Sequence, residues 1–533
     1  MVKQIPLFLA LLVVIVGPIA LRPKDRHVGN AGDRTLVIIT PHFESIRYEF
    51  ARGFEKHFLE KTGERVRVEY RTPGGTSEIS RYVESEFIAS FQNHWTRKLG
   101  RPWSGVVEDS FDDPKVNPDV PPADEMKRLG QEARRAFLES NVGCRIDLFF
   151  GGGSYDFEQQ ARAGRLVDCG YVAAHPELFN PDVIPQIVAG EPFWDPKGRW
   201  IGNVVSSFGI CYNVDSLRRL GAEPPQQWSD LGSPRFLQQI ALANPTQSSS
   251  VNKSLEMVIQ QQMQKQLAEH PASEPEAIRA GWTRAMQLLM KIAANARYFT
   301  DTSTKISLDV EAGEAAAGMT IDFYGRYQSE AVRRPDGSSR LQYLPVIGGS
   351  SVGVDPIGMF RGAPNPDLAK AFIAYVLSVE GQKLWNWQAG VPGGPQRYTL
   401  RRLPILPELY APEFREVRSD PDVNPYELAK TFTYHEAWTG KLFRPIAFIF
   451  RVMCIDPHDE LAEAWRALIA ADFPPEATAA FGDVTAVNYD AASGSIRDVL
   501  AGDKIKEVQL ARELADRFRA QYAHVAALAK ARR

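Results

Sequence analysis

The sequence predicts an α/β fold on a mostly parallel sheet, followed by a mainly helical C-terminal extension. Three observations predict it. From Thr35 onward a strand, a loop and a helix recur twice in succession, the pattern that lays parallel strands together with helices on their faces. The apolar strand Ile146–Phe150 runs out into Gly151-Gly152-Gly153 and a further helix. Beyond about residue 410 the segments change to Leu/Ala-rich faces with charged backs, as in surface-packed helices.

Thr35–Thr40 reads as the first strand and enters the loop Pro41-His42-Phe43-Glu44. Ser45–Thr62 has helical spacing, with Tyr48, Phe50, Phe54, Phe58 and Leu59 on one broad apolar face, and Gly63 stops it. Val66, Val68 and Tyr70 alternate through a second strand, Arg65–Arg71, and Thr72–Glu78 leads into the next helix. Such a sheet places its ligand at the carboxyl ends of the strands, where these two loops lie. Trp95–Ala123 breaks the rhythm with prolines and the acidic residues Glu108, Asp109, Asp112 and Asp113; it reads as a surface insertion, a solvated excursion. Order returns with the helix Asp124–Glu139. After the triple glycine, which permits close approach to main-chain amides, a helix is expected near Phe157–Ala163. Ile201–Asn213 and Ile240–Ala243 follow as strands. The serines of Asn244–Ser250 either cap the helix Lys253–His270 or cradle an oxyanion. Ile278–Ala294 is helical, Asp301–Thr304 caps a helix over Lys305–Ala315, and Ala317–Tyr324, Leu341–Val346 and Val352–Phe360 read as strands. Asn365–Leu377 carries Pro366 in its first turn, and Glu460–Ala471 and Ile505–Ala529 are the clearest helices of the extension.

An apolar run from Ile5 to Leu21, with Lys3 before it and Arg22, Lys24 and Arg26 after it, makes residues 1–28 a cleaved signal peptide or a retained N-terminal membrane anchor. Either sends the body out of the cytoplasm. In the whole chain 62 Lys and Arg against 65 Asp and Glu leave a net charge of −3, which excludes the basic footprint of a nucleic-acid binder. Cys144, Cys169, Cys211 and Cys454 are too few for a disulfide scaffold; an oxidising compartment permits a Cys144–Cys169 bridge, and buried thiols are the favoured reading. Gly349-Ser350-Ser351-Val352-Gly353 matches a nucleophile motif by letter, but it leads into a strand where that motif needs a helix. Cys454 and His458 lack a second ligand pair nearby, so zinc is not indicated.

Pro356-Ile357-Gly358-Met359-Phe360-Arg361-Gly362-Ala363-Pro364-Asn365-Pro366, then Ala369–Ile373 and Leu377-Ser378-Val379-Glu380-Gly381-Gln382, carry the most specific pattern. This run resembles the returning strand, turn and helix of the substrate-binding proteins of bacterial ABC importers, in the ferric, polyamine and phosphorylated-solute branch. Asp147–Gly152, Gly209–Asn213 and Pro225 with Trp228–Leu231 support the resemblance, which covers about residues 35 to 400. It implies a two-lobed, type 2 periplasmic-binding-protein-like fold with hinge strands. Lobe one is then 33–204 with 345–405 and the insertion 95–123, lobe two is 205–344 with the crossovers, and 410–533 is the helical extension. It also implies a binding protein without cofactor, on the periplasmic or extracytoplasmic face of the inner membrane, delivering solute to an ABC permease.

Matched by position, the family's ligand loops fall at Thr40 and His42, at Thr76 and Ser77, and at Gly153 and Ser154 in lobe one. In lobe two they fall at Ser248 and Ser249, Ser303, Asp322, Tyr324 and Arg326, with Ser207 near a crossover. Hydroxyls and helix starts suit a small anionic solute, one with an oxyanion such as the phosphoryl group of a phosphorylated compound or a carboxylate. Arg326 would add a bidentate clamp if it faces the cleft. The competing ligand is ferric iron, held by His42, Glu44, Tyr324 and Tyr327. Two other classes stay open: an enzyme using the cleft, with His42 and Asp322 as its acid/base pair, and a membrane-tethered sensory or scaffold protein that keeps the fold without importing.

Overall fold

The computed structural model describes residues 34–271 and 273–531; the apolar run Ile5–Leu21 lies outside them. The first strand–helix repeat is β1 (Arg34–Ile39), α1 (Glu44–Thr62), β2 (Val66–Arg71) and α2 (Thr76–Asn93). After α3 (Gly105–Ser110) and α4 (Glu125–Glu139) come β3 (Leu148–Phe150) and α5 (Ser154–Ala163). The chain then enters β4 (Ile201–Asn213), β5 (Ile240–Ala243), α6 (Ser249–Glu269), α7 (Glu274–Ala294), β6 (Ala296–Thr300) and α8 (Ser303–Ala312). β7 (Ala317–Ile321), α9 (Asp322–Ala331), β8 (Leu341–Pro345), β9 (Val352–Phe360) and α10 (Pro366–Leu377) complete the α/β part. Of the extension, α11 (Phe443–Phe450), α12 (His458–Ala470) and α13 (Lys504–Lys530) matter below.

Two sheets meet on one strand. In the first, β1 pairs in parallel with β2 and β3, and β9 joins antiparallel between β3 and β4. In the second, β7 lies antiparallel to β4 and parallel to β5, which is parallel to β6. β4 spans both: its residues Ile201–Ser207 pair with β9, and Gly209–Asn213 pair with β8. A strand this apolar is buried along almost its whole length, because it has a lobe on each end. Gly209 is required there, since a Cβ would stand 2.3 Å from the Leu344 carbonyl oxygen. The return path β8 to β9 runs back beside it, so chain crosses between the lobes on neighbouring strands, the arrangement that lets two lobes rotate about a hinge.

Each lobe has its own core. Phe50, Phe54, Phe149, Phe150, Phe372 and Trp385 belong to the first, and Trp228, Trp282, Met286 and Met319 to the second. The helical extension continues the second core: Trp465, Phe481, Phe518 and Tyr522 are buried in the same cluster as Trp282. Residues from Leu403 to Ala429 pack instead with the first. All four cysteines are buried and free.

Two local expectations are corrected. The stretch 95–123 is not simply solvated, for Trp95, Val107 and Phe111 are fully buried. Phe111 stacks on Phe91 at 4.7 Å, and the Trp95 indole donates to the Pro102 carbonyl at 3.0 Å; its aromatics outweigh its prolines. The strand expected over Ala317–Tyr324 ends at Ile321, and Asp322 starts α9. An Asp at a first helical turn, with its carboxylate accepting from the Phe323 N–H at 2.8 Å, is a helix-start signal masked by the apolar run around it. β6 went unread, because five residues with two exposed positions leave little periodicity.

Candidate functional site

Helix starts build the site. The residues that precede α1, α2, α5, α6, α8 and α9 (Phe43, Gly75, Gly153, Ser248, Thr302 and Ile321) all border one cavity of about 950 Å³ between the lobes. Each follows a strand or a strand exit, so the sheets aim the helices at one place. Ser248 and Thr302 accept from first-turn amides of their own helices, whereas Phe43, Gly75, Gly153 and Ile321 provide no side-chain cap. First-turn N–H groups and helix dipoles then present partial positive charge to the cavity, although in α9 the Phe323 N–H is taken by the Asp322 carboxylate.

Of the expected ligand residues, His42, Thr76, Gly153, Ser154, Ser248, Ser249, Ser303 and Tyr324 border the cavity. Ser77 meets Ser249 across the cleft, hydroxyl to hydroxyl, at 3.5 Å. Thr40 is used by the frame: its hydroxyl donates to the Phe150 carbonyl at 2.6 Å and accepts from the His42 N–H at 3.1 Å. Ser207 is buried off the cavity wall, and its neighbour Ser206 borders the cavity instead. Asp322 and Arg326 do not reach the cavity. They face each other at 3.8 Å in the interior, with the Arg326 guanidinium over the Tyr343 ring, because α9 starts where a strand was expected and turns both inward. The clamp expected of Arg326 is therefore not formed.

The ferric set is not assembled either. Glu44 points to solvent on Arg47 at 2.8 Å, and Tyr327 packs beside Phe43, off the cavity wall. Burial pushes the Tyr324 phenol up to about 12, away from the tyrosinate that iron would need. His42 is occupied differently: Arg402 Nη1 donates to its Nε2 at 3.1 Å. Burial, which outweighs the Asp355 carboxylate nearby, lowers His42 to about 4, so the ring is neutral and its proton sits on Nδ1. The pairing of His42 with Asp322 as acid and base fails on the same geometry.

Arg402 is the residue that sequence reading missed. It is fully buried, donates to Asp355 Oδ2 at 2.6 Å and to the Ser206 hydroxyl at 2.8 Å, and lies 3.8 Å over the Phe323 ring. Burial alone would raise Asp355, but this guanidinium holds it below the usual carboxylate range. A second cluster was missed as well. Lys253 Nζ sits 2.9 Å from both Glu191 and Glu256, over the Tyr434 ring at 3.7 Å, and the Ser351 hydroxyl donates to Glu191 at 2.6 Å. Ser351 thus anchors a wall and is followed directly by strand β9, not by the helix of a nucleophile turn. The wall is richer in carboxylates than the expected residues were, yet most carry a cation: Asp355 has Arg402, Asp195 has Arg199, and Glu191 and Glu256 share Lys253. Asp156 is the buried exception. Desolvation raises it to about 6 against hydrogen bonds from Ser249 and Ser80.

A two-lobed binding protein, with a polar cleft fed by helix starts, is the class that this fold and site define. Residues 146–406 match the family of bacterial extracellular solute-binding proteins. A phosphoglycerate transport regulatory protein, PgtC, of Salmonella typhimurium is 25% identical over 180 residues, which are 34% of this chain and 39% of that protein. An uncharacterized protein of Haemophilus influenzae is 26% identical over 249 residues, 46% of this chain and 61% of its own. The match thus spans less than two thirds of the length of either relative. Among solved structures, the periplasmic binding protein AfuA of Actinobacillus pleuropneumoniae, with fructose-6-phosphate bound, aligns over 82% of this chain and 98% of its own, at 16% identity and a TM-score of 0.46. Iron-bound HitA of Pseudomonas aeruginosa aligns over 78% and 99%, at 14% identity and a TM-score of 0.45.

Proposed function

We propose that the chain is the extracytoplasmic solute-binding component of an ABC importer, which captures a small anionic, phosphorylated solute between its lobes and presents it to a membrane permease. The carrying observation is the set of helix starts around one cavity, three of them (at Phe43, Gly75 and Gly153) without a cap from the residue that precedes the helix. Fixed N–H dipoles hold an anion without a full countercharge and without reorganising. Asp301 and Glu436, which border the cavity as well, suit the hydroxyls of an organic phosphate, since a carboxylate accepts what a hydroxyl donates. The phosphoglycerate in the name of the Salmonella relative makes 3-phosphoglycerate the first solute to try. Ligand contacts from both lobes would then favour the closed population, with Thr76, Ser77, Gly153 and Ser154 on one side and Ser248, Ser249, Ser303 and Tyr324 on the other. The periplasmic face is the place of action, by the N-terminal segment and the family. Among the described residues no helix is long and apolar enough to cross a membrane.

The test is native mass spectrometry of the full chain, purified in mild detergent, with phosphorus and iron determined on the same sample. Phosphorus near one per chain, or retention of added 3-phosphoglycerate, is expected. Iron near one per chain without phosphorus would overturn the anionic assignment. The regulatory role in the name of that relative favours a second reading, in which the loaded protein signals to a membrane partner; cross-linking in whole cells, with and without solute, would show whether the partner is a permease.

A further inference from the structure

The C-terminal extension reaches back into the cavity. Tyr434, Glu436, Lys441 and Phe443 border it, although the match to the solute-binding family ends at residue 406. This segment is fastened on both sides. The Tyr434 N–H donates to the Ala189 carbonyl at 2.8 Å, and its hydroxyl donates to Glu256 on α6 at 2.9 Å. Gln260 of α6 donates to the His435 carbonyl at 2.8 Å and to the Thr439 hydroxyl at 2.7 Å, and Asn252 donates to the Phe443 carbonyl at 2.7 Å. The approach at Gly190 is so close that a Cβ there would stand 1.9 Å from the Tyr434 carbonyl oxygen. The segment is therefore a rigid wall.

Its side chains add what the two lobes lack. Arg162 and Lys253 border the cavity too, but Glu158 holds the first, and Glu191 and Glu256 hold the second. Lys441 stands in no ion pair among the described residues and is exposed where it borders the cavity. Two residues on, the Phe443 ring stacks on Tyr155 of α5 at 4.5 Å. That contact ties the extension to lobe one at the edge of the cavity, where α5 begins.

We propose that residues 434–443 form a third wall of the solute cleft, on which Lys441 pairs with the anionic group and Phe443 clasps Tyr155 to close the mouth. This rests on the anionic-solute function proposed above. A cation in no ion pair among the described residues, bordering the same cavity as the helix starts, adds a charge-assisted contact that dipoles alone do not make. The aromatic clasp must part whenever solute leaves, so it slows release more than it adds to capture.

Calorimetric titration of the full chain with 3-phosphoglycerate and with glycerol 3-phosphate, at two salt concentrations, tests this. Lys441→Met is expected to weaken binding about tenfold and to flatten its salt dependence, while Lys441→Arg retains most affinity. Phe443→Ala is expected to speed release in stopped flow. Lys430→Met, on an exposed pair with Glu427, is expected to bind as the parent does. Unchanged binding by Lys441→Met, in a parent that binds, would overturn the third wall and leave the anionic function standing. A parent that takes up no phosphate ester would overturn both.

Discussion

His42 and Asp156 show how one loop position acquires its chemistry. The proline-flanked loop made His42 visible as a candidate, but its partner Arg402 lies 360 residues away, and no local pattern links them. With Arg402 donating to Nε2, His42 serves as an acceptor in a buried polar network and not as a metal ligand. Asp156 was unread because the triple glycine before it drew the attention of any ligand argument to the backbone. Its carboxyl is raised from 3.8 to about 6 by burial, so the folded state holds its proton more tightly than the unfolded chain does. The stability it contributes is full below about pH 3.8 and is lost as pH rises past 6. Asp156→Asn is expected to leave urea stability unchanged near pH 4 and to raise it by about 1–3 kcal/mol at pH 8. An equal difference at both pH values would show that the charge is not desolvated.

At the scale of the element, the periodic signals served well wherever the environment was one-sided. α1, with its phenylalanine face, and β4, with its long apolar run, occupy the expected residues to within one position. Between Ala317 and Tyr324 the apolar run fitted both states, and Asp322, acidic in the first turn and accepting from the Phe323 N–H, favoured a helix. This one boundary removed Asp322 and Arg326 from the cleft. The uncapped starts offer a direct test. Gly153 precedes α5 with an ordinary backbone angle of −84°, and a Cβ there meets nothing closer than 3.6 Å. Gly153→Asp is thus sterically tolerated. Its carboxylate is expected to cap the first-turn N–H groups itself and to repel an anion, weakening phosphate-ester binding at least about tenfold, by titration calorimetry. Undiminished binding would mean that α5 does not face the solute.

For the whole molecule, the helical extension changes what lobe two is. Trp465 donates from its indole to Asn295 Oδ1 at 2.8 Å, and Trp282 donates to the Val487 carbonyl at 2.8 Å. These bonds join the extension to α7 inside one apolar cluster, so the two should unfold as a unit. Trp465→Ala is expected to destabilise that unit by about 3–5 kcal/mol and to expose sites in both α7 and α13 to proteolysis together. Cleavage confined to the extension would show that lobe two stands alone. The same packing brings Tyr434 and Lys441 to the cleft, which couples the extension to the site as well as to the core.

The sequence by itself determined the class of fold, the alternation of strand and helix, and the loops that meet at the cleft. These follow from local periodicity, glycine and cap chemistry, and a family pattern centred on Pro356–Gln382. Only the tertiary structure decided which polar groups face the cavity and which are used up as frame. Arg402 with His42 and Asp355, Lys253 with Glu191 and Glu256, and the third wall from 434 to 443 are all joined across long stretches of chain. The physical reason is that a buried charge is defined by its partners, and those partners are chosen by packing between elements, which no window of neighbouring residues contains.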